Sequence, residues 1–361
     1  MTKDADFKRV VRTRMAKTGE SYTTALNQLR GTTKDVLHVT NGESAAQTLR
    51  ASGISDVVLA WRDALHVGPV PAVSAVQLRR IRARQLAKLG DAPQAEVLTG
   101  LIERDRTLRR HRGAFQLWFE ADLYDQLQVI QILAMLRDNN VDPERIMLIC
   151  IGEYPGIGHF GGLGELTADQ LFGLRDSSVQ LSVAAIELAC LAWTALRAPS
   201  PELYRDIART VSGELRFLGE AFDRLGREFP STRDGLTLTE RRLLATVIDT
   251  DLPAGDVFLR ASAREIRPFL GDTACYRLLS ELAAGRHPLI TLDRGTDSAK
   301  ASAWRVGLTR DGRRVLDGDA DRLTLIGIDR WIGGVHLSGD VPGWRWDEAT
   351  EDLVRNSPGV M

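Results

Sequence analysis

Seven side chains able to bind anions, hold metals or move protons follow closely on apolar runs in the first half of the chain: Asn41, Ser44, Asp63, His66, Glu120, Asp122 and Glu153. The runs are Val36-Leu37-His38-Val39-Thr40, Val57-Val58-Leu59-Ala60-Trp61, Phe115-Gln116-Leu117-Trp118-Phe119 and Ile146-Met147-Leu148-Ile149-Cys150-Ile151. Each reads as a β-strand ending abruptly in polar residues. In an open parallel sheet, ligands bind beyond the carboxyl ends of the strands. The layout therefore predicts one cleft that gathers all seven.

The chemistry expected of each group follows from residue type and place. Asn41, Gly42 and Ser44 stand between a strand and a helix, where free backbone N–H groups and a hydroxyl make an anion cradle. The plainer reading is a helix N-cap. Arg62, Asp63 and His66 bring a phosphate clamp, a carboxylate and an imidazole into one short segment, so that Asp63 orients His66 as a general base. The alternative is an Arg62–Asp63 brace with His66 exposed. Glu120, Asp122 and Asp125 are oxygen ligands of the kind Mg²⁺ or Mn²⁺ prefers, or else negative charges that stabilise a helix N-terminus. Glu153 is the general acid or base if it is desolvated.

Gly156-Ile157-Gly158-His159-Phe160-Gly161 matches G-x-G-x-x-G. The dinucleotide fingerprint should follow the first strand and open directly into a helix, whereas this run follows the fourth. It is read as a glycine loop over the cleft, with His159 facing the ligand. In the Trp-rich tail, Arg330 and His336 either reach the cleft or a partner, or sit beside aromatics pinned onto the body.

The elements that must position these groups alternate strand and helix, which predicts βαβ units and a mostly parallel sheet. The fold class expected is α/β: a Rossmann-like domain over residues 34–165 with a helical insertion at 73–112, broken at Gly90-Asp91-Ala92-Pro93. The insertion carries Arg79, Arg80, Arg82, Arg84, Arg104 and further arginines on a face read as plain solvation. Before it lies a basic helical arm, 1–33, read as a solvated arm or a nucleic-acid contact. A helical connector over 166–230 follows. Thr237-Leu238-Thr239-Glu240 then fits a capping box and opens residues 236–361, where three helices and a two-stranded ribbon give the order of a winged helix.

The bulk composition agrees with a soluble globular protein: 361 residues, 43% hydrophobic, 26% charged, net charge −1. That balance argues against a wholesale polyanion binder. Cys150, Cys190 and Cys275 show no metal-ligand spacing and fit reduced thiols. No secretory h-region or long apolar span is seen, so a bacterial cytoplasmic location is expected.

The chain resembles the bacterial domain-of-unknown-function family numbered 1835. The resemblance rests on Leu37-His38-Val39-Thr40-Asn41-Gly42-Glu43-Ser44, on Trp61 to Pro71, on Trp118 to Leu127, on Gly152-Glu153-Tyr154-Pro155-Gly156 and on Trp331-Ile332-Gly333-Gly334-Val335-His336-Leu337. Glu43 stands where an Asp is usual. The family implies no reaction, so the functional expectation comes from the residues. It is a pocket for a small anionic substrate, a nucleotide or another phosphate ester, with hydrolysis or group transfer as the reaction class. Two rivals stand beside it. One is a winged-helix nucleic-acid-binding or regulatory protein using Arg286, Arg294, Lys300, Arg305, Arg310, Arg313 and Arg314. The other is a protein-interaction scaffold.

Overall fold

A computed structural model describes residues 36–356 apart from 55, 56, 91, 159 and 296–299, together with Met15, Gly19, Ser21 and Tyr22. Most of the expected basic arm, and His159, lie outside the described residues. In chain order the elements are β1 (Val36–Thr40), α1 (Glu43–Ala51), β2 (Val58–Ala60), α2 (Ala75–Leu89), α3 (Gln94–Arg110), β3 (Ala114–Glu120), α4 (Leu123–Asp138), β4 (Ile146–Ile151), α5 (Ala168–Gly173), β5 (Val179–Gln180) and α6 (Val183–Arg197). There follow α7 (Tyr204–Ala208), α8 (Leu218–Gly226), α9 (Leu238–Thr246), β6 (Leu252–Pro253), α10 (Ala254–Ser262), α11 (Asp272–Leu282), β7 (Ile290–Asp293), β8 (Arg305–Leu308), α12 (Arg310–Asp317), α13 (Arg322–Ile326), β9 (Ile328–Ile332), β10 (Val335–Gly339), β11 (Trp344–Asp347) and β12 (Asp352–Arg355).

The chain divides into two compact units, each assembled from three separated stretches. The first comprises 1–62, 103–120 and 135–186; the second comprises 63–102, 121–134 and 187–361.

The first unit holds a five-stranded sheet in the order β2-β1-β3-β4-β5. The four strands expected from sequence are neighbours and run parallel, and only the short β5 is antiparallel. Their near-continuous apolar runs explain this, because strands covered on both faces need no polar alternation. Leu37, Val39, Phe115, Leu117, Trp118, Ile146 and Ile149 are buried. Ala45 and Leu49 of α1 pack with Trp118, Ile149 and Leu163 in the core. Gly53, with a positive φ of 67°, follows the end of α1, as its place in the sequence predicts.

In the second unit, α9, α10 and α11 surround Leu243, Leu244, Val257, Cys275 and Leu279, with Ile290 and Val306 of a three-stranded sheet closing the same core. That sheet has the order β6-β8-β7 and is antiparallel throughout. The capping box is formed: Glu240 N donates to Thr237 Oγ1 at 3.1 Å, and Thr237 N donates to Glu240 Oε2 at 3.0 Å. The Trp-rich tail folds into two antiparallel hairpins, β9–β10 and β11–β12. The break at Gly90 to Pro93 does separate two helices, α2 and α3.

Candidate ligand cavity and the carboxyl edge of the sheet

The expected anion cradle lies in the first unit, at the carboxyl edge of β1. Gly42 caps α1 in an extended conformation, and no side chain caps the helix. Neither Asn41 nor Ser44 therefore plays the N-cap part. Asn41 Nδ2 instead donates to Glu120 Oε1 at 3.1 Å, and the same oxygen accepts from Leu163 N at 2.7 Å. Glu120 thus latches the glycine loop after β4 onto the ends of β1 and β3. Gly162 reaches this position with φ 137° and ψ 173°, and a Cβ there would lie 2.7 Å from the Glu120 carboxylate. At Gly164 a Cβ would meet Ser44 Oγ at 2.5 Å. The segment that packs directly on the residues expected to cradle an anion is Gly162 to Gly164, immediately after the glycine loop expected to cover a cleft. Arg62 is exposed with a positive φ of 46°, and Glu153 stands exposed beyond β4.

Asp63 and His66 belong to the second unit, and they do not form a pair. Asp63 is fully buried and accepts from Arg82 Nε at 2.9 Å, with Nη2 also 2.9 Å from the same oxygen. The other guanidinium donors reach Ala64 O at 2.8 Å, Val67 O at 2.8 Å and Pro69 O at 3.3 Å. Arg82, not Arg62, braces this loop. Among the described residues neither ring nitrogen of His66 has a hydrogen-bond partner, and Nδ1 is sealed from solvent. The ring is held edge-on by Tyr124 at 5.8 Å and Phe269 at 5.2 Å. Burial, then the charges of Arg82 and Arg224, push its pKa down to about 3. The imidazole is neutral at pH 7 and a weak base.

Asp122 caps α4 by accepting from Asp125 N at 3.1 Å. Burial raises its pKa to about 6, against the opposing backbone N–H groups of Asp125 and Tyr124 and the charge of Arg267. Glu120 and Asp122 thus both carry backbone hydrogen bonds. For Asp122 this is the helix-terminus role given as the alternative to metal binding.

His66 lines a cavity of about 590 Å³ formed wholly within the second unit. Helix α2 contributes Arg84, Gln85 and Lys88; α11 contributes Arg277, Leu278 and Glu281; β9 contributes Asp329, Arg330 and Trp331. The loop that Arg82 braces is joined to the β9–β10 turn by Val70 N donating to Gly333 O at 2.7 Å, and that turn to α6 by Gly334 N donating to Leu196 O at 2.7 Å. Arg197 Nε adds a bond to Pro71 O at 3.1 Å. Gly333, with φ 58°, is required here because a Cβ would meet Leu196 O at 2.2 Å. The segments around His66 and Trp331, far apart in sequence, therefore share one wall.

Arg330 is committed elsewhere. Its Nη2 donates to Glu240 Oε1 at 2.8 Å, and Arg322 lies 3.3 Å from that oxygen. Burial alone would raise the Glu240 pKa, but the two guanidinium groups hold it below the ordinary carboxylate range. His336 is exposed on β10, with Nε2 2.7 Å from Asp329 Oδ1 and its ring stacked on Trp331 at 4.6 Å. It backs a cavity residue and is not itself part of the lining.

Arg84, Lys88, Phe269 and Trp331 are not singled out by the sequence as site residues, and Arg277 is expected there only as a nucleic-acid contact of the third winged-helix helix. Their signal was faint: Arg84 and Lys88 are four apart on one helix face, hidden within an arginine-rich run. Arg82 carried a clearer sign, standing midway between Leu78 and Leu86 on the apolar stripe.

No protein-family model matches the chain, and no curated protein matches it. Among solved structures, the DNA-binding, cleavage and re-ligation domain of Plasmodium falciparum topoisomerase II is similar to it with a TM-score of 0.42 and 11% identity. The match covers 76% of this chain and 47% of that one, so the chain spans about half its length. A likeness at that level shows neither a shared fold nor a shared function. Among the described residues, no helix is long and apolar enough to cross a membrane.

Proposed function

We propose that this protein binds a small anionic molecule in the cavity of its second unit. The observation that carries the reading is the pairing of a concave space of about 590 Å³, open to solvent, with cations left uncommitted on its wall. Small-molecule sites are concave spaces of about 300–1,000 Å³ with a few placed polar groups. Among the described residues, the Arg84 and Lys88 side chains have no carboxylate partner. Binding is favoured over catalysis by the state of the proton-moving candidates. His66, with a pKa of about 3, has little driving force to take up a proton at pH 7. Asp63 is locked to Arg82 and Glu153 is exposed. Hydrolysis or group transfer in this cavity would need a base that these three do not supply, and Asp122, raised to about 6, caps α4 and is not among the lining residues. Membership of the family numbered 1835 is part of the same proposal, supported by the motifs around His66 and Trp331 that meet at the cavity.

A second reading has its own support. The order α9-β6-α10-α11-β7-β8, with β8 between β6 and β7, fits a winged helix. Such a domain binds nucleic acid through the face of its third helix. Here Arg277, Leu278 and Glu281 of that helix wall the cavity, and Arg277 donates to Lys88 O. The wing arginines are also partly engaged: Arg294 over Trp304 at 4.9 Å, Arg305 on Asp251 O at 2.9 Å, Arg313 on Ile248 O. The winged helix is accordingly read as a wall of the ligand site.

Thermal denaturation with inorganic phosphate, pyrophosphate, sugar phosphates and duplex DNA tests this. The expected result is a rise in Tm with a small phosphate compound that disappears in Arg84→Ala/Lys88→Ala. A shift from DNA alone, lost in Arg313→Ala/Arg314→Ala, would favour the nucleic-acid reading instead.

A further inference from the structure

Cations gather on one side of the cavity wall. Arg84 and Lys88 share one face of α2, and the Arg277 guanidinium sits on the Lys88 carbonyl, so three cations belong to one corner. Glu281 stands four residues after Arg277 on α11 and 3.8 Å from Arg330, so one carboxylate borders the cationic corner, while Asp329 on β9 is already engaged by His336. The lining also holds two planar side chains: Phe269, against which His66 stands edge-on and over which Arg224 lies at 4.8 Å, and Trp331, one face of which is covered by His336. The His66 ring borders the cavity with its Nδ1 sealed, so Nε2 is the nitrogen left to meet an occupant.

A bare inorganic anion matches only one part of this. It would leave the second face of Trp331 unused, and it has no donor for Glu281. An uncharged ring compound leaves Arg84 and Lys88 without a partner. Both needs are met by a molecule with a phosphate at one end, a flat ring, and hydroxyl donors on the connecting sugar.

We infer that the occupant is a nucleoside monophosphate, with its phosphate at Arg84, Lys88 and Arg277, its base against Trp331 and Phe269, and its sugar hydroxyls toward Glu281. This assignment rests on the reading of the cavity as an anion site. Guanidinium groups match phosphate oxygens bidentately, and Lys88 adds a point charge. Aromatic rings accept any base on their π-faces. His66 Nε2 supplies a neutral contact, so the site distinguishes ligands by hydrogen bonding there and not by charge.

The test is isothermal titration calorimetry on the full chain with AMP, GMP, CMP and UMP, and separately with inorganic phosphate and with the free nucleosides. At least one monophosphate is expected to bind roughly tenfold or more tightly than both phosphate and its own nucleoside. Arg84→Ala/Lys88→Ala should abolish that advantage, and Glu281→Gln should weaken the nucleotide but not inorganic phosphate. Trp331→Leu provides a second probe should the double variant fail to fold, and it should lower nucleotide affinity selectively. If phosphate binds as tightly as every nucleotide, the nucleotide assignment falls while the anion site stands. Nucleotide binding indifferent to Arg84, Lys88 and Trp331 overturns the placement. If no probe binds, both the assignment and the anion site fall.

Discussion

Arg82 commits its whole guanidinium to one loop, and this decides what Asp63 is for. A carboxylate and a guanidinium, each about 1% exposed, cannot stay charged without each other, because the desolvation cost of either alone is several kcal/mol. The three carbonyls of Ala64, Val67 and Pro69 use the remaining donors, so the loop bearing His66 is fixed from beneath. Asp63→Ala should therefore lower stability by about 3–5 kcal/mol, read as a shift of the urea midpoint at unchanged slope. Arg84→Ala, only two residues from Arg82 but exposed, should stay within about 0.5 kcal/mol. Equal losses at both positions would show that the Asp63–Arg82 pair does not carry the loop.

At the scale of elements, the strand ends of the first unit are organised by a loop and not by an open crevice. Glu120 at the end of β3 accepts from both Asn41 and Leu163, and Gly162 occupies a region of φ and ψ that is essentially confined to glycine. An added methyl would be strained there and would also press on the carboxylate. Gly162→Ala should cost on the order of 2–3 kcal/mol. Part of that is the clash with Glu120, so in the Glu120→Ala background the cost should shrink, which a double-mutant cycle measures. Strict additivity would mean that the loop is not held by this latch.

For the molecule as a whole, three buried groups set opposing slopes of stability against pH. Burial holds His66 near a pKa of about 3, and burial with Arg175 holds His38 to about 4. Both are depressed from 6.5, so the unfolded chain binds the extra protons. Their contribution is complete above about pH 6.5 and is lost as pH falls. Asp122 behaves oppositely. Its carboxyl is raised to about 6, so its protonated form favours the native state, and that contribution fades as pH rises from about 4 to 6. At about 1.4 kcal/mol per pKa unit, the histidines together outweigh the single carboxyl by several kcal/mol. Tm should therefore climb between pH 4.5 and 7. His66→Gln should flatten the climb, and Asp122→Asn should steepen it. A profile unchanged in both variants would refute these assignments.

Much of the architecture was legible in the sequence because it depends on local pattern. Apolar runs covered on both faces read as parallel strands, Gly90 to Pro93 broke one helical run into two, and Thr237 with Glu240 marked a helix start. The polar residues after each strand were legible as well, but not their partners. Whether Asp63 faces Arg62, His66 or Arg82 is a matter of which helix packs beneath the loop; the place of Arg82 between Leu78 and Leu86 marks it as buried but does not name its partner. Whether Ser44 meets a ligand or a glycine loop depends on the return path of the chain after β4. The cavity is assembled from residues 66–89, 228–281 and 329–332, so no window of sequence contains it. Periodicity encodes which faces are buried; only the packing of distant segments decides what each buried or exposed charge is left to meet.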